Sequence, residues 1–140
     1  MDWRQVKDLV GDERGLAGLF FTAAEAERSM PRAYDLRVRG GWPDVLPEPG
    51  LAYGYNEVEV RQSPANAAEV TRWDVAIELT KYMPVEDARL VWSAAHSAVG
   101  RERGPAWRKI AYLMHIHPAT AKRRFQRAIL TLWYTVLSKA

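Results

Sequence analysis

The stretch from Ile110 to Ile129 constrains this chain most, because apolar and basic residues recur there at helical spacing on either side of a short break. The apolar positions are Ile110, Ala111 and Met114 before the break and Ala121, Phe125 and Ala128 after it, and the cations are Lys122, Arg123, Arg124 and Arg127. This pattern predicts a helix, a tight turn and a second helix. One face would dock on the protein and another would present positive charge.

Charge is distributed unevenly along the chain. The formal net charge of +3 combines 11 Lys/Arg and 16 Asp/Glu in residues 1–100 with 9 Lys/Arg and 1 Asp/Glu in residues 101–140. A solvated surface explains any single arginine, but forty residues with almost no acid are better explained by a polyanionic partner.

Composition narrows the class of protein. A chain of 140 residues, 48% hydrophobic and 26% charged, is typical of one soluble globular domain. With no cysteine it can form neither a disulfide scaffold nor a thiolate zinc site. The run Ala128–Leu137 is half a bilayer span, and the mixed charges of residues 1–10 do not fit a signal peptide. We therefore expect a cytoplasmic protein with no membrane partner.

The remaining chain predicts an all-α domain spanning residues 1–140. Residues 1–31 hold two helices, one capped by Asp2 with Trp3, Val6, Leu9 and Val10 inward, the other from about Asp12 to Met30. Residues 32–62 are rich in Pro and Gly and predict an ordered irregular belt, with a short strand at Val58 and Val60 as one possibility.

Proline marks three later helix starts. The dipeptides Ser63-Pro64, Met83-Pro84 and Gly104-Pro105 predict two supporting helices within residues 63–100, the second ending near Gly100, and the first helix of the C-terminal unit. In the first supporting helix Val70, Trp73 and Ile77 are expected inward, and in the second Ala88, Val91, Trp92 and Ala95. The C-terminal unit then occupies residues 105–137, with a long last helix from about Pro118.

The spacing within this unit satisfies the requirements of a helix-turn-helix. Ala111 supplies the small residue where two helices cross, and Ile110, Met114 and Ile116 supply the apolar residues around it. The N-terminal exposed positions of the second helix would face DNA base edges; these are His117, Ala119, Lys122 and Arg123. Phosphate contacts are expected from Arg108, Lys109, Thr120, Arg124 and Arg127.

One residue departs from this pattern. The turn normally favours glycine because its φ is positive, and here it holds His115. Histidine tolerates the left-handed region better than most residues, at some cost. An ordinary amphipathic surface helix is the alternative interpretation of the whole stretch.

The C-terminal third resembles region four of bacterial sigma factors. The matching residues are Ile110-Ala111, Thr120-Ala121-Lys122, Arg124, Arg127-Ala128 and Leu130, together with Met83-Pro84 in place of the Leu-Pro that opens that region. Over about residues 23–137 the order Met30-Pro31, Trp42-Pro43, Ser63-Pro64, Val91-Trp92 and Trp107 resembles an uncharacterised helix-turn-helix family of alphaproteobacteria and their phages. The resemblance implies DNA binding without an established activity, and nothing here resembles the sigma region that opens promoter DNA.

Other candidate sites are incomplete. His115 and His117 lack the further ligands of a metal site, so we expect no metal or other cofactor. The acid pairs Glu86-Asp87 and Glu57/Glu59 are interpreted as solvated, and no phosphate loop or nucleophile elbow occurs. The sequence therefore predicts a protein that is not an enzyme.

The sequence leaves several functions open. The first is a sequence-specific duplex DNA-binding protein, a phage or prophage type of transcription regulator. The alternatives are a DNA-recognition subunit for phage packaging, similar to a small terminase, and a protein-binding module acting on RNA polymerase. The last helix carries a second apolar series, Leu130, Trp133 and Leu137, which either the N-terminal helices cover or a homodimer buries.

Overall fold

A computed structural model describes residues 1–30 and 65–140 of the chain. These residues form six α-helices: α1 (Trp3–Val10), α2 (Glu13–Ser29), α3 (Ala67–Thr80), α4 (Val85–Ala98), α5 (Trp107–Met114) and α6 (Pro118–Lys139). The described residues contain no strand, which confirms the all-α class. The predicted belt at residues 32–62, its possible strand and Ser63-Pro64 lie outside the described residues.

The first helix begins at its predicted cap, Asp2, and Asp12, predicted as the approximate start of the second helix, is the N-cap of α2. The Asp2 carboxylate accepts a hydrogen bond from the Arg4 N–H (3.0 Å), and the Asp12 carboxylate accepts one from the Gly15 N–H (2.6 Å). The inward prediction for Leu9 was wrong, because α1 buries Val6 and Val10 and leaves Leu9 44% exposed.

Helix α3 begins later than predicted. The expected start near Pro64 was wrong, since Asn66 caps the helix and Ala67 is its first residue. Asn66 accepts from the Glu69 N–H at 2.9 Å, and Glu69 accepts from the Asn66 N–H at 2.8 Å. In this reciprocal capping box the N–H groups of Asn66 and Glu69 both have acceptors. The position of a proline does not predict this pairing. The helix also buries Ala76 and Leu79 and leaves Ile77 39% exposed, so the inward prediction for Ile77 was wrong.

A proline lies at or shortly before the start of α4, α5 and α6. Pro84 is the N-cap of α4, Pro118 is the first residue of α6, and Pro105 lies two residues before α5. The start of α5 predicted at Pro105 was therefore two residues too early. The Trp107 N–H donates to the Pro105 carbonyl at 3.0 Å, and this short turn precedes the helix. Helix α4 ends at Ala98, and Gly100 follows with φ +73°, as the stop signal predicted.

Helix α2 forms the centre of the core. It packs against α1, α3, α4 and α6, and its buried residues are Leu16, Leu19, Phe20, Ala23, Ala24 and Ala26. The small alanines permit close helix approach, and Phe20 meets Trp92 of α4 edge-on at 5.5 Å. Among the described helices, none is long and apolar enough to cross a membrane.

Candidate nucleic-acid interface

Helix α6 is held by the core along a single buried stripe. Its buried residues are Ala121, Phe125, Ala128, Ile129, Leu132 and Val136. Phe125 stacks on Phe21 of α2 at 6.1 Å and meets Trp107 of α5 edge-on at 5.5 Å. Since Phe125 bridges both neighbours, the first half of α6 has a fixed position relative to α5.

The turn between α5 and α6 is a hydrogen-bonded cap. His115 adopts the left-handed conformation (φ 55°, ψ 40°), and it alone does so among non-glycine residues of the described ranges. Its N–H donates to the Tyr112 carbonyl (3.3 Å), and the Ile116 N–H donates to the Ala111 carbonyl (3.0 Å). This bond pair defines a Schellman motif, where glycine usually occupies the position of His115. The positive φ expected at His115 is therefore confirmed.

His117 caps the N-terminus of α6. Its Nδ1 accepts a hydrogen bond from the Ala119 N–H at 3.2 Å. With Nδ1 acting as acceptor, the ring proton is assigned to Nε2, which leaves a donor for an external partner. This capping role was not predicted from the sequence, because Ser, Thr, Asp and Asn are the usual N-cap residues; the available signal was Pro118, which suits the first helical position.

The four residues predicted to face base edges are exposed. His117, Ala119, Lys122 and Arg123 lie at or within two turns of the start of α6. Of the residues predicted to contact phosphate, Arg108, Lys109, Thr120 and Arg127 are exposed. Arg108 and Lys109 lie in the first turn of α5, opposite its buried residues Ile110 and Ala111.

Arg124 is placed differently from the other cations. Its side chain is 38% exposed and its Nη2 lies 3.4 Å from a carboxylate oxygen of Glu86, near the start of α4. An ion pair this exposed contributes less than about 1 kcal/mol to stability. Glu86 was interpreted as solvated, and the structure adds that it pairs with Arg124 across 38 positions of sequence.

Sequence reasoning missed Tyr112. It is 81% exposed on α5, four residues after Arg108 and therefore on the same helix face. Leu113, beside it, is 66% exposed. A large aromatic residue left in water next to two cations is suited to contact a backbone phosphate or a protein partner. The spacing of four residues between Arg108 and Tyr112, which places both on one helix face, was the signal available in the sequence.

We name the exposed Arg108, Lys109, Lys122, Arg123 and Arg127 the basic face. The cap at His117 and the buried Phe125 orient the α6 members of this set, and the Schellman turn sets the path from α5. The arrangement combines a helix start, exposed cations and a fixed turn. Such a surface can bind a polyanion.

A comparison with protein families matches residues 28–132 to the family described as "Domain of unknown function (DUF6362)". The match covers three quarters of the chain. The chain belongs to the DUF6362 family. The DUF6362 match includes α3, α4, α5 and α6 as far as Leu132, and so contains the whole basic face. No curated protein and no solved structure matches the chain.

Proposed function

We propose that the protein binds duplex DNA in a sequence-dependent way, with the first half of α6 in the major groove. The observation that carries this proposal is the exposure of Lys122 and Arg123 on a helix whose opposite side is buried. Lys and Arg side chains at the N-terminal end of a docked helix are suited to reach guanine acceptors in that groove. The other members of the basic face would contact phosphates.

The role we propose for this binding is transcription regulation of the phage or prophage type, in the cytoplasm. The support is the resemblance of Ile110-Ala111 and Thr120-Ala121-Lys122 to sigma region four. A packaging subunit would use the same surface within a ring of many copies. The mass of the native assembly separates these two roles, because a regulator forms a monomer or dimer.

A second candidate is a protein-binding module acting on an acidic surface, such as one on RNA polymerase. The exposed Tyr112 and Leu113 favour it, because apolar side chains beside cations are common in protein interfaces. In this case the protein would show no retention on duplex DNA at low salt.

The test is a selection of bound sites from random duplexes, followed by affinity measurements on the selected site and on an unrelated duplex. Replacement of both reading cations, Lys122→Ala with Arg123→Ala, should remove the preference for the selected site. Each lost base contact corresponds to about 1–3 kcal/mol of discrimination. Arg101→Ala with Arg103→Ala removes the same charge from exposed positions between α4 and α5, and should leave the preference intact. Unchanged preference in the first variant would rule out α6 as the reading helix.

A further inference from the structure

Helices α2 and α6 border an open groove of about 450 Å³ beside the basic face. Its charged lining residues are Glu13 and Arg14 from the first turn of α2 and Arg127 from α6, and its other lining residues are neutral. The buried side chains of Phe125 and Ile129 form part of the lining. The fold therefore brings an arginine from the acidic N-terminal part of the chain into the same groove as an arginine of the basic face.

Neither arginine of the groove is neutralised by an ion pair. Arg14 and Arg127 are both exposed, and among the residues that the structure describes no carboxylate oxygen lies within 4.0 Å of either guanidinium. Asp12 precedes the groove, but its carboxylate accepts the Gly15 N–H at 2.6 Å and does not line it. Two cations against the one carboxylate of Glu13 leave the groove positively charged, which favours an anion.

The groove lies one helical turn beyond the reading residues of α6. Arg127 follows Arg123 by four residues, so both lie on one face of α6, about 6 Å apart along its axis. In a helix-turn-helix complex the N-terminal residues of the reading helix meet base edges. Residues one turn further along are then closer to the rim of the major groove, where the backbone runs. The anion that fits this position is a backbone phosphate.

We propose that Arg14 and Arg127 hold one phosphate group of the duplex backbone between them. The inference rests on the proposed function and extends the DNA contact surface from α5 and α6 to α2. A guanidinium presents its N–H donors in a planar fork that matches phosphate oxygens, so two arginines on different helices can bind different oxygens of one phosphate. Glu13 makes both arginines necessary. When either is removed, the carboxylate balances the charge of the other and the phosphate loses its site.

The salt dependence of duplex affinity tests whether the phosphate is shared. Arg14→Ala should lower the slope of the logarithm of the association constant against the logarithm of salt concentration by about 0.9, the value for one phosphate contact. Arg127→Ala should lower it equally, and the double variant should lose about 0.9 rather than about 1.8, because only one contact is lost. Arg72→Ala removes an exposed arginine from α3 and should leave the slope unchanged. Circular dichroism verifies that each variant keeps its helix content.

A second test changes the charge of the groove without altering Arg127. In the Arg14→Ala background, Glu13→Gln should restore the wild-type slope, since Arg127 then has no carboxylate to balance its charge. Glu25→Gln removes an exposed carboxylate from the second half of α2 and should restore nothing. Arg14→Lys keeps the positive charge and should keep the wild-type slope. A purely structural role of Arg14 would not be rescued by Glu13→Gln.

The possible outcomes separate this inference from the proposed function. A wild-type slope in Arg14→Ala, a loss of about 1.8 in the double variant, or equal rescue by Glu13→Gln and Glu25→Gln would overturn the shared phosphate site. Each of these results would leave duplex binding by α6 intact. A wild-type chain that binds no duplex DNA at low salt would overturn the proposed function and this inference together.

Discussion

The two halves of α6 share one buried stripe and differ completely on the side that faces solvent. The first half exposes Lys122, Arg123 and Arg127, and the second exposes Leu130, Tyr134 and Leu137 without a charge among residues 128–138. Packing cannot explain this change, because Phe125 and Val136 meet the same core. The difference teaches that one helix with a continuous buried stripe presents two chemically different surfaces to solvent, one basic and one apolar.

The largest expected effect comes from removing the side chain that supports the first half. Phe125→Ala deletes the ring between Phe21 and Trp107 and should lower the free energy of unfolding by about 3–5 kcal/mol, because a cavity remains in the core. Gln126→Ala, at the adjacent exposed position, should change it by less than about 0.5 kcal/mol. Urea unfolding monitored by circular dichroism measures both. Equal stability of the two variants would mean that Phe125 does not fix α6.

The next-largest expected effect on stability concerns the junction between α1, which packs against α6, and α2. A methyl group on Gly15 would overlap the Val10 carbonyl oxygen, so Gly15→Ala must separate the start of α2 from the end of α1. We expect a loss of about 1–3 kcal/mol of stability. Gly18→Ala meets nothing within 4 Å and should stabilise α2 by about 0.5–1 kcal/mol. Thermal unfolding of the pair distinguishes them, and a gain in both variants would show that α1 is not held closely.

A smaller effect, a gain in stability, is expected at the turn between α5 and α6. His115→Gly removes the strain of the left-handed conformation and should raise stability by about 0.5 kcal/mol, after the greater freedom of glycine in the unfolded chain is included. If the imidazole contacts a phosphate, the same variant should bind DNA less tightly. A variant that is less stable than the wild type would show that the His115 side chain stabilises the turn.

The smallest effect concerns Arg124. Glu86→Gln removes the carboxylate beside it and should strengthen DNA binding by about two- to threefold, because an exposed pair is weak and Arg124 becomes available to phosphate. Asp87→Asn removes the same charge one residue later and is the control. A fluorescence anisotropy titration measures the affinities. Weaker binding by Glu86→Gln would mean that the pair holds Arg124 in its binding position.

The sequence predicted the parts of the fold that depend on local signals. Asp2 as a cap, the start of α2 near Asp12, Gly100 as a stop and His115 with positive φ are all confirmed, because each is fixed by the backbone geometry of a few neighbouring residues. Ile77 and Leu9 were assigned to the core by periodicity, but periodicity does not say which of two apolar faces a neighbouring helix covers.

Contacts between residues that are distant in the chain could not be predicted from the sequence. The pairing of Arg124 with Glu86 depends on how α4 meets α6, and the bridge from Phe125 to Phe21 and Trp107 depends on the path of three helices. The residues predicted to face base edges are exposed, as expected from their positions on α6, whereas their DNA contacts stay a prediction.

The central claim is that the basic face binds the phosphate backbone, and the salt dependence of DNA affinity tests it most directly. The logarithm of the wild-type association constant should fall linearly with the logarithm of salt concentration, at about 0.9 per phosphate contact. Arg108→Ala with Arg127→Ala should reduce this slope by about 1.8, and Arg101→Ala with Arg103→Ala should leave it unchanged. A slope that is the same in all three proteins, or no binding to duplex DNA at low salt, would contradict the account.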